Sequence, residues 1–542
     1  MTDLSDFKKS LILSDNDKKL GYWMLDDTHF PKPLTPLFIS LMMPAVTIGT
    51  KRAFETMKLP IAQFIVKSDH GYYYQLMPPH PEPLEERMPK HKKKMEELFP
   101  RIKSYMERTV DDFLMPFYKK LSERSAVPLS TNEALDYIKE LQQFYEKTWQ
   151  YHFEISIPRT SLAVALEELY GQVTGAKDTA EVYDYLQGIM NMSLETDRGL
   201  WQLANQVKSS AWLRSILATS ANPLETLQHT AEGRVFLKDL RDFLNIYGHR
   251  TAATHEYKEE TWFENPSYAL SLIANYVQKE YDFDVAFMQV VAEREAKVKE
   301  LFDRLPDSEP ANRFKIMYQW AFDCWGADED HHFYIDAMIA AKSRYFFKNV
   351  GRTLVRQQVF ACEEDIFYLY LDDVLEVLQQ PKPLHEVVEN NKRTCKENMS
   401  RKPEPFFGIP PISPTPDPVI ERIFGWPHAQ DAKEEQAKSF KGNAASKGSY
   451  TGTVKIISGQ EDFAKLTKGD ILVCKTMTPP WTVLFSIAGA LVTDAGGILS
   501  HASIVAKEYK LPAVVGTKVA TSMLQDGDRI TVDGTNGVVY MG

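Results

Sequence analysis

Cysteine is scarce in this chain: Cys324, Cys362, Cys395 and Cys474 are the four in 542 residues, and no two are spaced C-x-x-C. That excludes a disulfide framework and a Cys-rich zinc site, and it predicts reduced thiols in a cytosol. Long apolar runs are also missing. No uninterrupted stretch reaches the roughly 18–20 residues that a membrane-spanning helix needs. Leu11–Leu13, the only apolar run near the start, is too short for the core of a secretion signal. There is no excess of positive charge. Lys+Arg number 63 against 74 Asp+Glu, a net of −11, which argues against nucleic acid as a main partner. A period of 20–50 residues is absent, so a solenoid is not expected. These absences predict a soluble cytoplasmic protein with neither nucleic acid nor membrane as partner. What is present is core-forming material: 44% hydrophobic and 12% aromatic residues, enough for several packed domains at about 100–200 residues each.

The pattern divides the chain into a large, mainly α-helical domain and a small β/α domain. Residues 1–429 read mostly as helices. Ala134, Ile138, Leu141, Tyr145 and Trp149 recur at steps of four and three, and Ser130 with Glu133 forms a capping box before them. Asn265-Pro266 opens the apolar-periodic stretch Tyr268–Val277. A short strand is expected near Ile61–Val66. The Lys90–Lys94 run reads as a solvated helix face. Eight prolines fall within 403–427 and predict a stiff strap; the small polar residues of 430–447 predict a flexible hinge. Residues 448–542 alternate strands with short helices. Strands are expected at 448–458, 469–476, 489–493, 513–516, 529–532 and 538–541, and helical segments at 481–487 and 501–509. From Asn443 onward nine Lys/Arg meet eight Asp/Glu, so the acidity belongs to the rest of the chain.

The sharpest chemical signal lies in this last part. Thr493 closes a strand, Gly496 and Gly497 make an open turn, Ser500 stands where a cap belongs, and His501 falls in the first turn of a helix. Glycine allows close approach by a bulky group. A helix N-terminus offers free N–H donors and partial positive charge, which suits a phosphate. An imidazole there has its cationic form disfavoured and can act as a nucleophile. Gly496, Gly497 and Ser500 are therefore the expected phosphate loop around His501.

The segment 496–516, GGILSHASIVAKEYKLPAVVG, closely resembles the phosphohistidine motif of the phosphoenolpyruvate-utilising (pyruvate phosphate dikinase-like) family. Gly448 with Gly452, Gly469–Val473, Thr478–Trp481, Asp526-Gly527-Asp528 and Val532–Gly534 extend the likeness across the small domain. The helical part resembles, more loosely, the acceptor-binding domains of rifampicin phosphotransferase and of the phenylphosphate synthase large subunit. The matching pieces are Phe30–Leu37, Tyr247–Arg250 followed by Trp262-x-Glu264-x-Pro266, and Glu364–Leu369. Relatives often carry Gly after the Arg and a Glu further on; this chain has Thr251 and Thr254 there.

The resemblance implies that His501 becomes phosphorylated and that its domain swings between sites. It also implies ATP and Mg²⁺, bound mainly by an ATP-grasp module. No glycine-rich nucleotide loop precedes residue 400, and no phosphoenolpyruvate-binding barrel follows the small domain. The expectation is therefore the acceptor-plus-swivel half of a split enzyme whose ATP-grasp subunit is a separate polypeptide. The start, from Met1 into Tyr22–Leu25, is read as a true start rather than a truncated antibiotic kinase. The expected reaction moves a phosphoryl group from ATP through His501 to a hydroxyl, foremost that of a phenol, giving a phenyl phosphate with AMP and phosphate. The alternatives are a rifamycin-like antibiotic phosphotransferase and a non-catalytic phosphocarrier or regulatory protein.

A hydroxyl acceptor needs a base, and the developing charge needs cations. Two clusters qualify: His249, Arg250, His255 and Glu256; and Asp328, Glu329, Asp330, His331 and His332, with Arg344 following. Adjacent histidines on a helix point about 100° apart and do not readily share an ion, so no metal is assigned.

Overall fold

The computed structural model describes residues 4–27, 29–251, 256–278, 282–409, 439–477 and 479–542. The chain forms two compact units. One comprises Met1–Pro158, Thr254–Glu259 and Tyr334–Thr415; the other comprises Arg159–Ala253, Glu260–Phe333 and Pro416–Gly542. The division therefore does not follow the expected boundary near 430–447: most of the second half of the helical part groups with the small β/α domain.

The first unit carries a small antiparallel sheet of β1 (Trp23–Leu25), β2 (Ile65–Asp69), β3 (Tyr72–Leu76) and β4 (Phe406–Phe407), in the order β2-β3-β1-β4. The strand expected near 61–66 starts later, at Ile65, because it is β3 that fixes its register, from Ile65 opposite Leu76 to Asp69 opposite Tyr72. Around the sheet stand helices. The stripe Ala134, Ile138, Leu141, Tyr145 and Trp149 is buried along the helix Thr131–Thr174. Its capping box is formed, with Ser130 N–H and O–H donating to Glu133 Oε2 and Glu133 N–H returning to Ser130 Oγ. Lys90, Lys92 and Lys93 are exposed on the helix Leu84–Leu98, as a solvated face requires.

In the second unit, the helices Met192–Ser209, Ala231–Tyr247, Ser267–Val277, Phe283–Arg304 and Glu309–Cys324 accompany an eight-stranded sheet. Its strands are β5 (Ser439–Lys441), β6 (Asn443–Ser446), β7 (Ser449–Ile456), β8 (Ile471–Cys474), β9 (Ala490–Thr493), β10 (Ala513–Val515), β11 (Arg529–Asp533) and β12 (Val538–Met541). The order is β5-β12-β11-β7-β8-β9-β10-β6, with β7, β8, β9 and β10 mutually parallel in the middle. Every strand expected after residue 448 is present. The expected hinge is corrected: Ser439–Lys441 and Asn443–Ser446 are edge strands, while residues 430–438 and the strap from 410 onward lie outside the described residues.

Alternate side chains of the central strands enter two cores, as the pleat dictates. Ile471, Val473, Val492 and Val514 join one cluster with Leu524 and Val539. Leu472, Leu491 and Val515 join another that also holds Ala502, Val505 and Ala506 of the helix His501–Glu508 and Leu200, Leu203, Phe236 and Ile273 of the helical part. The apolar face of the His501 helix is thus shared between the sheet and the helices beside it. Among the described residues, no helix is long and apolar enough to cross a membrane.

Candidate functional site

His501 follows β9 through the loop Asp494–Ser500 and opens the eight-residue helix His501–Glu508, after which β10 returns parallel to β9. It therefore sits beyond the carboxyl end of a parallel strand, where α/β sheets commonly bind ligands. Gly496 has φ +115°, and a Cβ there would lie 2.9 Å from Ser500 Oγ. The loop is tied down by Ser503 Oγ donating to the Gly497 carbonyl at 2.8 Å. Ser500 occupies the cap position by its backbone, its carbonyl accepting from Ser503 and Ile504 N–H. The expected side-chain cap is not made: Ser500 Oγ meets Ser503 Oγ at 3.2 Å instead.

The His501 ring is not displayed to solvent. Its side chain is 7% exposed, and Nδ1 lies 2.6 Å from Oε1 of Glu329, itself 1% exposed. The other Glu329 oxygen accepts from Ser193 Oγ at 2.7 Å. Burial pushes the Glu329 carboxyl upward, but the charge and hydrogen bond of His501, with help from His332 and Ser193, outweigh it and hold the group down at about 2. Glu329 is therefore ionised beside the imidazole. It is one of the acids of the acid–histidine cluster expected from the sequence. Only the phase of the short helix Ala327–His331 reveals which acid faces His501.

The other expected residues divide between the two units. Asp330 accepts the Met192 N–H at 2.8 Å, and burial pushes its carboxyl up to about 7. Arg250 is buried; its Nη2 donates to the Met192 carbonyl and to Thr196 Oγ1, its guanidinium covers the Phe333 ring at 5.2 Å, and burial brings it down to about 10. Glu329, Asp197 and Asp330 supply the opposing negative charge around it. His249 is buried next to it in sequence. His331 Nδ1 engages the Ala327 carbonyl at 3.0 Å. Contrary to the divergence expected of neighbouring helical histidines, the His331 and His332 rings lie 4.1 Å apart. The chain passes there into the π-helical turn His332–Ala337, whose wider winding reduces the angle between successive side chains.

Glu256 is held by backbone and hydroxyl donors. It belongs to the first unit, where Oε2 accepts the Thr35 N–H and Oε1 accepts Thr35 Oγ1 and the Tyr257 N–H, each at 2.7 Å. It fastens the start of the helix Pro36–Thr56. His255 lies outside the described residues.

Residues 152–329 match the fourth domain of rifampicin phosphotransferase, and residues 466–537 match the mobile domain of phosphoenolpyruvate-utilising enzymes. The chain is 36% identical, over 98% of its length, to an uncharacterized phosphotransferase, YvkC, of Bacillus subtilis, and it covers 63% of that protein. It is 27% identical over 75% of its length to rifampicin phosphotransferase of Bacillus cereus, covering 46% of it. It is 45% identical over 21% of its length to a probable phosphoenolpyruvate synthase of Archaeoglobus fulgidus, covering 16% of it. The chain thus spans less than two thirds of each of these relatives. With His501 heading the helix of the matched mobile domain and Glu329 closing the matched fourth domain, the chain carries a mobile domain like that of phosphoenolpyruvate-utilising enzymes and resembles rifampicin phosphotransferase.

Proposed function

We propose that this protein is a phosphotransferase that carries a phosphoryl group on His501 from ATP to a hydroxyl acceptor. The observation that carries this reading is the pair His501 Nδ1 and Glu329 Oε1 at 2.6 Å in a nearly closed site. A carboxylate on Nδ1 fixes the tautomer and the ring orientation and directs phosphoryl transfer to Nε2. A ring so covered is not loaded where it stands. Loading requires the β/α domain to leave this position, which is the reason to read it as a swivelling carrier seen at its acceptor station.

In this reading an ATP-grasp subunit, a separate polypeptide, binds ATP and Mg²⁺ and places a pyrophosphoryl group on Nε2, releasing AMP. Hydrolysis then releases phosphate and leaves one phosphoryl group on the ring. Back at Glu329, the N–P bond breaks as an acceptor hydroxyl oxygen attacks phosphorus. Asp330, with its carboxyl near 7, is suited to take the hydroxyl proton. Arg250 offsets the negative charge of the acids around it. The aromatic richness of the chain suits a phenol, which would give a phenyl phosphate. The likeness of residues 152–329 to a rifampicin phosphotransferase domain favours, as second reading, a larger hydroxylated antibiotic.

The test is a single-turnover assay. The full chain, an ATP-grasp partner, ATP and Mg²⁺ are mixed with phenol, substituted phenols and rifampicin, and AMP and phosphate ester are measured. Acceptor-dependent AMP in the wild type and none in His501→Ala is expected. Turnover by His501→Ala would end the proposal; phosphorylation of His501 with no ester from any hydroxyl would leave a phosphocarrier.

A further inference from the structure

The helix that begins at His501 is also held at its other end. Glu508, its last residue, accepts the backbone N–H of Gly188 at 2.8 Å. The loop is built to present that N–H. Gly188 has φ +68°, and an added Cβ would stand 3.1 Å from Val291 Cγ2 and 3.2 Å from Val291 N, so only glycine fits. Buried Arg294 donates from Nη1 to the carbonyls of Gln187 and Gly188 at 3.0 and 2.9 Å and holds the peptide in place. Five residues on, Ser193 holds Glu329, the partner of His501. The single segment Gln187–Ser193 therefore serves both ends of the helix, through Glu329 at the front and through Gly188 at the rear.

Among the described residues, no cation bonds Glu508. Lys510 pairs with Glu293, and Lys447 with Glu181 and Asp184. Tyr509 Oη bonds Asp197. Arg294 and Lys507 favour its ionised form, and Glu329 disfavours it. Glu508 lines a small cavity together with Tyr183, Gln187, Trp325, Ile498, Leu499 and Lys507.

We propose that Glu508 is a positioning residue for phosphotransfer: through its hydrogen bond to the Gly188 N–H it seats the helix so that His501 meets Glu329. The role rests on His501 as the carrier proposed above. Burial, partly opposed by the Gly188 hydrogen bond and Arg294, pushes the seated carboxyl up to about 7 from an ordinary 4.5. An acid that holds its proton more tightly when seated makes seating strongest in acid. Seating then weakens as pH rises from the free value through the seated one.

Potassium phosphoramidate, which phosphorylates accessible imidazoles without an enzyme, tests this on the full chain. His501 labelling is followed as acid-labile phosphate by peptide mass spectrometry, with N-acetylhistidine correcting for reagent chemistry. Glu508→Gln keeps an acceptor for the Gly188 N–H and removes the charge. At pH 6 wild type and Glu508→Gln should label alike. By pH 8.5 the wild type should label at least tenfold faster than Glu508→Gln, while Glu508→Ala labels fast at both. An unchanged ratio of wild type to Glu508→Gln across the range, or Glu508→Ala no faster than wild type, would overturn the positioning role while leaving the carrier intact. Failure of His501 to label in every variant, with the control histidine reacting, would overturn both.

Discussion

Each compact unit buries a glutamate, and the two are satisfied in opposite ways. Glu256 in the first unit is surrounded by dipoles: two N–H groups and a hydroxyl, from Thr35 and Tyr257. Burial dominates there and pushes its carboxyl upward. Glu329 in the second unit is equally buried, yet it is held at about 2 because an imidazole meets it. Fixed dipoles fasten a chain; under the proposed swivelling of His501, a partner that departs makes a docking site. If His501 leaves, Glu329 is left as a buried charge without its main partner, a costly state that draws the ring back. In the proposed function the contrast separates a carboxylate that fastens the fold from one that meets the carrier histidine.

The sharpest way to break this contrast is to remove the ring. His501→Ala should lower protein phosphorylation by about a thousandfold or more, measured as acid-labile phosphate, because the group that forms the N–P bond is gone. Next in size is Glu329→Gln. Acceptor-side transfer should fall by about 100-fold or more, since a neutral amide no longer fixes the tautomer. Labelling of His501 by phosphoramidate should rise, because the seat has lost its charge. Glu256→Gln should do the reverse: no change in labelling, and a loss of about 1–3 kcal/mol in stability from placing an amide NH₂ among donors, read as a lower Tm. Ser193→Ala should give the smallest effect, about 1 kcal/mol, seen as a severalfold rise in labelling as Glu329 loses one hydrogen bond.

Acidity sharpens the comparison further. Glu329 has its carboxyl lowered in the docked state, so its contribution is complete above about 4.5 and is lost as pH falls toward about 2. Glu508 has the opposite sign and weakens seating as pH rises toward about 7. Protection of His501 from phosphoramidate should therefore be greatest in a window between these limits. Glu329→Gln should lose the acid edge and Glu508→Gln the basic edge.

Much of the β/α domain was legible in the sequence because its central strands β8, β9 and β10 are short, apolar and buried on both faces, while β7, β11 and β12 alternate. Ser439–Lys441 and Asn443–Ser446 were not. They are short, polar and small, and their strand character comes from pairing with β12 and β10 at the edges of the sheet. His501 was legible because glycine, serine and histidine at a strand–helix junction have a chemical reason to occur together. Its partner was legible only as a run of acids and histidines. The choice of Glu329 over Asp330 depends on helix phase and on an approach from 172 residues away. The partner of Glu256 was hidden for the same reason. Its neighbours His249 and Arg250 in the sequence belong to the other unit, and its partner Thr35 is 221 residues distant.

The central claim concerns which nitrogen carries the phosphate. The chain should be loaded from ATP by an ATP-grasp partner, and the phosphoprotein examined by ³¹P NMR and peptide mapping. A single phosphohistidine at Nε2 of His501, discharged on adding a hydroxyl acceptor, is the predicted result. Phosphate on Nδ1, the atom that Glu329 holds, or on any residue other than His501, would contradict it.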